Sequence, residues 1–377
     1  MKFTIDSSAL ADAVAWAARS LPARPTAPVL AGLLLEAKQT SLTLSGFDLE
    51  VSAQISLDTD VEEPGRVLVS GRLLADITRA LPHLPVTIAT DGPRVNVECG
   101  SSRFTLLTLP VEDYPSLPSM PTVSGLIDGP TFTSAISQVA IAAGRDETLP
   151  ALTGIRLEIE GDTLTLAATD RYRLAVREIP WKPEQSSISA TALILGRTLN
   201  ETAKAMTSAT EVELAFSSRD GAVESLVGFS GAGRSTTTRL IDGEFPKYRS
   251  LFPDDSATSA QIEKASFIDA VKRVSLVAER NTPIRLAFSS EGLTLEAGTG
   301  DEAQASESVD AQVTGEEILI AFNPQYLVDG LNAVVGDYVS MTFVSSSKPA
   351  VLTGMLTADA KPDSSYRYLL MPVRMAG

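Results

Sequence analysis

The sequence has 377 residues, 44% of them hydrophobic, and 47 acidic side chains against 31 basic ones give a net charge of -16. A chain of this length exceeds what one hydrophobic core usually organises, so two or three domains are expected. The acidic balance argues against a tight electrostatic binder of nucleic acid, the lone Cys99 excludes a disulfide scaffold, and no apolar run reaches membrane-spanning length.

Charge is negative throughout: -5 over residues 1–122, -3 over 123–250 and -8 over 251–377, so no third is a basic domain. Asp6 and Asp12 interrupt the apolar positions of the first twenty residues, which is not the order of a signal peptide, and a cytoplasmic, soluble protein is expected. Cys99 reads as a small buried hydrophobe.

From Phe3, FTIDSSALADAVAWAARSL predicts a short strand and then a helix, with Leu10, Val14 and Ala17 at helical spacing. LAGLLLEAKQTSLTLSGFDLEV from Leu30 alternates as a hairpin, GRLLADITRAL from Gly71 is a second helix, and a closing hairpin ends near SRFTLLTLPVEDYPSLP. The same four segments then return: LIDGPTFTSAISQVAIAA from Leu126, LTGIRLEIEGDTLTLAATDRYRLAV from Leu152, GRTLNETAKAM from Gly196 and STTTRLIDGEFPKYRSLFP. They return once more as AQIEKASFIDAVKRVSLVA from Ala260, TPIRLAFSSEGLTLEAGTGDEAQA from Thr282, NPQYLVDGLNAV from Asn323 and SYRYLLMPVRM. Turns fall at Gly161 and Gly292, and Phe267, Val271 and Val274 form the apolar stripe of the third copy's helix.

The second helices begin 125 and 127 residues apart, a period far longer than that of a solenoid. Each copy can therefore bury its own core. The expected fold class is α+β: three similar domains, each with two helices packed on antiparallel sheet, spanning 1–122, 123–252 and 253–377, with boundaries in the Pro- and Ser-rich stretches at Met120–Ser124 and Pro253–Ser259. Sheet edges left at the two ends invite pairing with another copy, and closure into a ring removes them.

Catalytic motifs are weak by comparison. Gly228, four residues, then Gly233, Arg234 and Ser235 imitate a phosphate loop, but Arg234 stands where lysine is needed and TTTRL predicts a strand, not a helix. His83, between Pro82 and Pro85, reads as a surface residue, and Asp170 in ATDRYR as a turn-capping carboxylate. No clustered ligands point to a metal, no Gly-x-Ser-x-Gly elbow occurs, and no cofactor is expected.

MKFTI, ARPTAPVL, SRFTLLTLP, ATDRYRLAV, DGEFPKYR, AFNPQYLVDGLNA and YLLMPVRM stand in one order, end to end, on the three-fold repeat. In this the chain resembles the beta subunit of bacterial DNA polymerase III, the sliding clamps, and AERNTP, SKPA and TTTRL look like an actinobacterial member. The resemblance implies a clamp fold closed as a head-to-tail homodimer, six domains and twelve lining helices around double-stranded DNA, with no catalytic site and with ATP used by a separate clamp loader. Basic residues on the expected lining helices and loops are Arg24, Arg72, Arg79, Arg145, Arg197, Lys204, Lys272, Arg273 and Arg280. Phosphate contacts carry no base information, so such a ring slides without sequence preference. Each of these residues also fits a plain solvated charge, as Asp76 beside Arg79 illustrates.

The resemblance further implies a hydrophobic pocket between the second and third domains that binds short linear peptides of DNA polymerases, the clamp loader and repair proteins, and peptide inhibitors. Positions matching it are Leu152, Thr169, Arg171, Tyr172, Arg173 and Leu174, then Pro246 and Leu251, then Leu369, Met371, Pro372, Val373, Arg374 and Met375. Met repacks readily, which suits several peptides. The chain departs from the family pattern with Arg171 where many members carry Gly, Tyr172 where others carry His, and Ser250 where a second basic residue often follows Arg249. These departures bear on peptide and inhibitor preference, and they leave a second-copy clamp with altered inhibitor sensitivity as an alternative. The implied dimer contacts are Phe104 and Leu106 against the neighbourhood of Leu276; ordinary core is the other reading of Phe104 and Leu106. A peptide-binding scaffold that never loads on DNA, and a nucleotide hydrolase built on the Gly228 region, are the other function classes.

Overall fold

The structure is a computed structural model that describes residues 1–219, 222–253, 255–278, 282–298 and 303–374. Each expected helix forms. The first of each pair are α1 (Ser7–Ala17), α3 (Gly129–Ala140) and α6 (Lys264–Val274); the second are α2 (Gly71–Ala80), α5 (Gly196–Ala205) and α7 (Pro324–Ala333); and α4 (Pro150–Thr153) is a single turn. Local chemistry fixes their starts. Asp6 Oδ1 accepts from the N–H groups of Ser8 and Ala9, both at 2.9 Å, Asn323 Oδ1 does the same for Gln325 and Tyr326, and Glu263 caps α6 through the Ser266 N–H. The stripe Leu10, Val14 and Ala17 is buried in α1, and Phe267, Val271 and Val274 are buried in α6.

The hairpins also form where alternation placed them: Gly32–Lys38 with Ser41–Phe47, Gly154–Glu160 with Thr163–Thr169, and Ile284–Ser289 with Gly292–Ala297. Left-handed backbone at Gln39, Gly161 and Gly292 makes their turns. The phosphate-loop look-alike is a hairpin as well, Ala222–Gly231 against Arg234–Arg239, turning through Ala232 and Gly233 at positive φ. Cys99 is buried and His83 exposed in a loop.

The chain forms two compact units. One comprises Met1–Thr133, Trp181–Ala190 and Glu201–Leu240; the other comprises Ser134–Pro180, Thr191–Asn200 and Ile241–Gly377. Within the first, the core of α1 and its sheet includes Phe3, Leu10, Leu33, Leu35, Leu42 and Leu44. The strand Val51–Asp58 pairs antiparallel with Arg234–Arg239, and the hydroxyls of Ser52 and Thr237 meet at 2.6 Å across that seam. The second unit repeats the device: Arg173–Pro180 pairs antiparallel with Tyr366–Leu370. There Tyr368 donates to the Tyr326 carbonyl at 2.8 Å, and Gly330 of α7 permits this approach because a Cβ would meet the Tyr368 ring at 2.4 Å.

Candidate peptide pocket and DNA-facing surface

The second unit contains an apolar floor built from the strands that join at this seam. Ala167, Leu174, Val176, Leu193, Phe245, Tyr248 and Leu369 are buried together, and Ala151, Ile241 and Phe252 pack against them. Alternation puts Leu174 and Val176 on one sheet face, while cross-strand register sets Ala167 opposite Val176 and Leu174 opposite Leu369. Around the floor, Tyr172, Leu251, Met371 and Val373 remain exposed although large and apolar. Leu152 and Pro372 are half-buried, and Pro246 and Arg374 are exposed. The terminal segment is tied down by two backbone bonds, Met371 N–H to the Tyr172 carbonyl at 2.9 Å and Val373 N–H to the Ala321 carbonyl at 2.8 Å. Soft side chains are thus presented from a fixed backbone. Met375 lies outside the described residues.

The turn beside the pocket is built by Asp170, whose Oδ1 accepts from the N–H groups of Tyr172 and Arg173 at 3.0 and 3.1 Å, as a capping carboxylate does. Thr169 adds a hydroxyl donor to the Arg173 carbonyl at 2.7 Å. Arg171 sits at φ 78, the conformation that glycine adopts freely, which explains in physical terms why glycine suits this position. Arg173 is not free to meet a ligand. Its guanidinium is buried, paired with Asp170 at 3.0 Å and Asp329 at 2.6 Å, and lies 4.3 Å from the Tyr326 ring centre. Burial opposes its charge, but Tyr368 and the two carboxylates outweigh that and raise its pKa. It acts as a clasp between the turn and α7.

A second clasp holds the segment carrying Pro246 and Leu251. Glu158, nearly buried, accepts from the Tyr248 hydroxyl at 2.9 Å, Arg249 at 2.6 Å and Arg156 at 2.5 Å. Burial, then the Glu158 carboxylate, push the Tyr248 hydroxyl up to about 12. Sequence reasoning did not single out Glu158, Tyr248, Val176, Leu193, Tyr326 or Asp329. The only signal within the sequence was the Arg156 and Glu158 pair on one face of a strand whose other face is Leu157 and Ile159.

Of the basic residues expected to face DNA, Arg24, Arg72, Arg79, Arg145, Arg197, Lys204, Lys272 and Arg273 are all exposed, and Arg280 lies outside the described residues. Arg72 and Arg79 are on α2, Arg197 and Lys204 on α5, Lys272 and Arg273 on α6. Arg79 pairs with Asp76, Lys204 with Glu201, and Arg273 bidentately with Glu307. Among the described residues, Arg24, Arg72, Arg145, Arg197 and Lys272 have no ion pair.

The implied dimer contacts divide. Leu276 is 84% exposed directly after α6, and Phe104 is half-exposed on Ser102–Leu109, a strand with no partner on one side along residues 102–107 among those described. Leu106 is 2% exposed and belongs to the first unit's core, because it stands opposite the buried Val95; its assignment as a contact residue is corrected. Leu107 on the same strand, 71% exposed, is a further apolar side chain offered outward.

Family models of the DNA polymerase III beta subunit match the chain along nearly its whole length: the N-terminal domain at 1–118, the central domain at 126–247 and the C-terminal domain at 249–374. The beta sliding clamp of Streptomyces coelicolor is 60% identical over 377 residues, all of both chains. A beta sliding clamp homolog, GriR of Streptomyces muensis, is 42% identical over 374 residues, 99% of each chain, so the second-copy reading is not favoured. A crystal structure of the sliding clamp from Pseudomonas aeruginosa bound to griselimycin is similar at a TM-score of 0.90, with 27% identity and full coverage of both chains. Among the described residues, no helix is long and apolar enough to cross a membrane. With three domain models in series and a full-length relative at 60% identity, this chain belongs to the DNA polymerase III beta subunit family, the sliding clamps: non-catalytic processivity subunits of three-domain clamp fold.

Proposed function

We propose that two copies of this chain close head to tail around double-stranded DNA in the cytoplasm, at the nucleoid, and that the apolar pocket of the second unit takes linear motifs of DNA polymerases, the clamp loader and repair proteins. The domain bounds proposed are 1–122, 123–252 and 253–377. The observation that carries the reading is the pocket itself: a buried apolar floor centred on Leu174 and Leu369 beneath exposed Met371, Val373, Tyr172 and Leu251, in a chain of the clamp family. Bulky aliphatic and aromatic anchors fit a floor of this chemistry. That a Pseudomonas aeruginosa relative binds griselimycin supports inhibitor access in this fold.

For the DNA-facing surface, Arg24, Arg72, Arg145, Arg197 and Lys272 are the strongest members, since a charge not already held by a carboxylate is available to a phosphate. Arg79, Lys204 and Arg273 are weaker ones, and Arg280 completes the set by sequence. The net charge of -16 discourages DNA from adhering elsewhere. At the ring joint, Phe104 and Leu276 remain the proposed contacts, with Leu107 added.

Sedimentation of the full chain, followed by primer extension on a primed circle with a beta-dependent polymerase and loader, tests this. A species of twice the chain mass and longer products per binding event are expected; a monomer that leaves product length unchanged refutes it.

A further inference from the structure

Beside the apolar floor lies a groove of about 610 Å³ with a mixed polar and apolar lining, bounded by residues 143–152, the turn 170–173 and residues 325–329 of α7. Its charged members are Arg145, Asp146, Asp170, Arg171, Arg173 and Asp329, three of each sign. The carboxylates are committed internally. Asp170 and Asp329 both hold Arg173, and Asp146 Oδ1 accepts from the N–H and hydroxyl of Thr148 at 3.0 and 2.6 Å. The cations are held less: Arg145 and Arg171 are exposed and among the described residues neither has an ion pair, although Arg171, after the Thr148 hydrogen bonds, helps to hold the Asp146 carboxyl below its usual range.

Arg171 is also in a costly place for a side chain. A non-glycine residue at φ 78 is strained. The equivalent turn after the first hairpin, where Asp48 caps Glu50 and Val51, holds Leu49 at φ 80. The turn therefore demands the left-handed backbone whichever side chain sits there, and the exposed Arg171 guanidinium has only a longer-range attraction to Asp146, not an ion pair, to set against the strain.

We propose that Arg171, assisted by Arg145, is a specificity determinant that recognises a carboxylate on a bound peptide, adjacent in sequence to the apolar anchors. The inference rests on the peptide-binding reading above. Groove and floor are joined: Tyr172, whose ring stacks on Tyr326 at 6.2 Å, has its carbonyl bonded to the Met371 N–H at 2.9 Å. An extended peptide advances about 3.3 Å per residue, so an acidic residue one to three positions from an anchor over Met371 comes within reach of the groove. A chain of net charge -16 repels acidic peptides in general, and two unpaired arginines at one rim make acceptance local.

The test is fluorescence anisotropy with the full chain and labelled peptides bearing a Leu-Phe anchor pair, in matched pairs that differ only by Asp or Asn at one flanking position. For at least one position, Asp should bind about five-fold tighter than Asn, the gap should widen at low salt, and both R171Q and R171G should abolish it. R171G also relieves the backbone, so loss of folding does not confound the result. Equal binding of every Asp and Asn pair, or a gap that survives in R171Q, overturns the proposal. Peptides that ignore the Asp or Asn exchange but weaken with Met371→Ala leave the pocket standing and remove only the carboxylate specificity; failure of all peptides to bind, or indifference to Met371→Ala, removes both.

Discussion

Met371 and Leu174 separate what binds from what folds. Met371 is 39% exposed at the mouth, so a docked peptide covers the remaining two-fifths of its side chain, whereas Leu174 is 1% exposed in the floor. Full burial of such a side chain is worth about 1.5–3 kcal/mol, and two-fifths of that is about 1 kcal/mol, or about five-fold in Kd. Met371→Ala should thus weaken peptide binding by about five-fold or more while lowering stability by about 1–2 kcal/mol, the worth of the three-fifths already buried. Leu174→Ala empties a packed site and should cost about 2–4 kcal/mol of stability. Anisotropy titration of one labelled peptide against both variants, with urea unfolding alongside, measures the two effects. An unchanged Kd for Met371→Ala, or conversion of that variant to monomers, would refute the assignment of this residue to the pocket mouth.

Other outcomes follow from the same geometry. Glu158→Gln leaves Arg249 and Arg156 without their shared carboxylate and should destabilise the second unit by about 1–3 kcal/mol, read by urea unfolding; an unaltered midpoint denies the clasp. Replacing Arg24 and Arg197 together by Ala should lower loading on DNA and reduce the slope of log binding against log salt by about 1.8 with the fold intact; the same slope rejects both as phosphate contacts. Leu276→Asp should shift sedimentation toward the monomer, whereas Leu106→Ala should lower stability without doing so, since only Leu276 is on the surface. Burial works against the Asp363 carboxylate, but the Ser365 hydroxyl and N–H and the Arg177 guanidinium outweigh it and hold its pKa below the usual range. Its contribution to stability is present above the unfolded value of about 3.9 and lost as pH falls through the folded one. The stability gap between the protein and Asp363→Asn should therefore be open at pH 7 and close below about pH 4; a gap independent of pH contradicts this.

Local pattern made the fold legible. Alternation in LAGLLLEAKQTSLTL, helical spacing at Leu10, Val14 and Ala17, and the triple recurrence of both needed no long-range information, and every hairpin and helix appears where these placed it. The site was legible only by resemblance, and unevenly. Arg173 looked like a surface pocket residue, but its partner Asp329 is 156 residues away, a pairing no local pattern encodes. Glu158 was overlooked because a carboxylate on an alternating strand reads as solvent-facing, and only the return of residues 248 and 249 over that face covers it. Leu106 and Leu107 are indistinguishable as neighbours in FTLLTL; strand register against Val95 decides which one is core.

A ring that grips DNA mechanically is held by the closure of the circle it encloses and not by attraction, so retention should follow DNA topology. Clamp loaded onto a nicked circular plasmid and separated from free protein at high salt should remain bound, then be released when one restriction enzyme linearises the plasmid. Release from the intact circle by salt alone, or equal retention on circle and line, would contradict it.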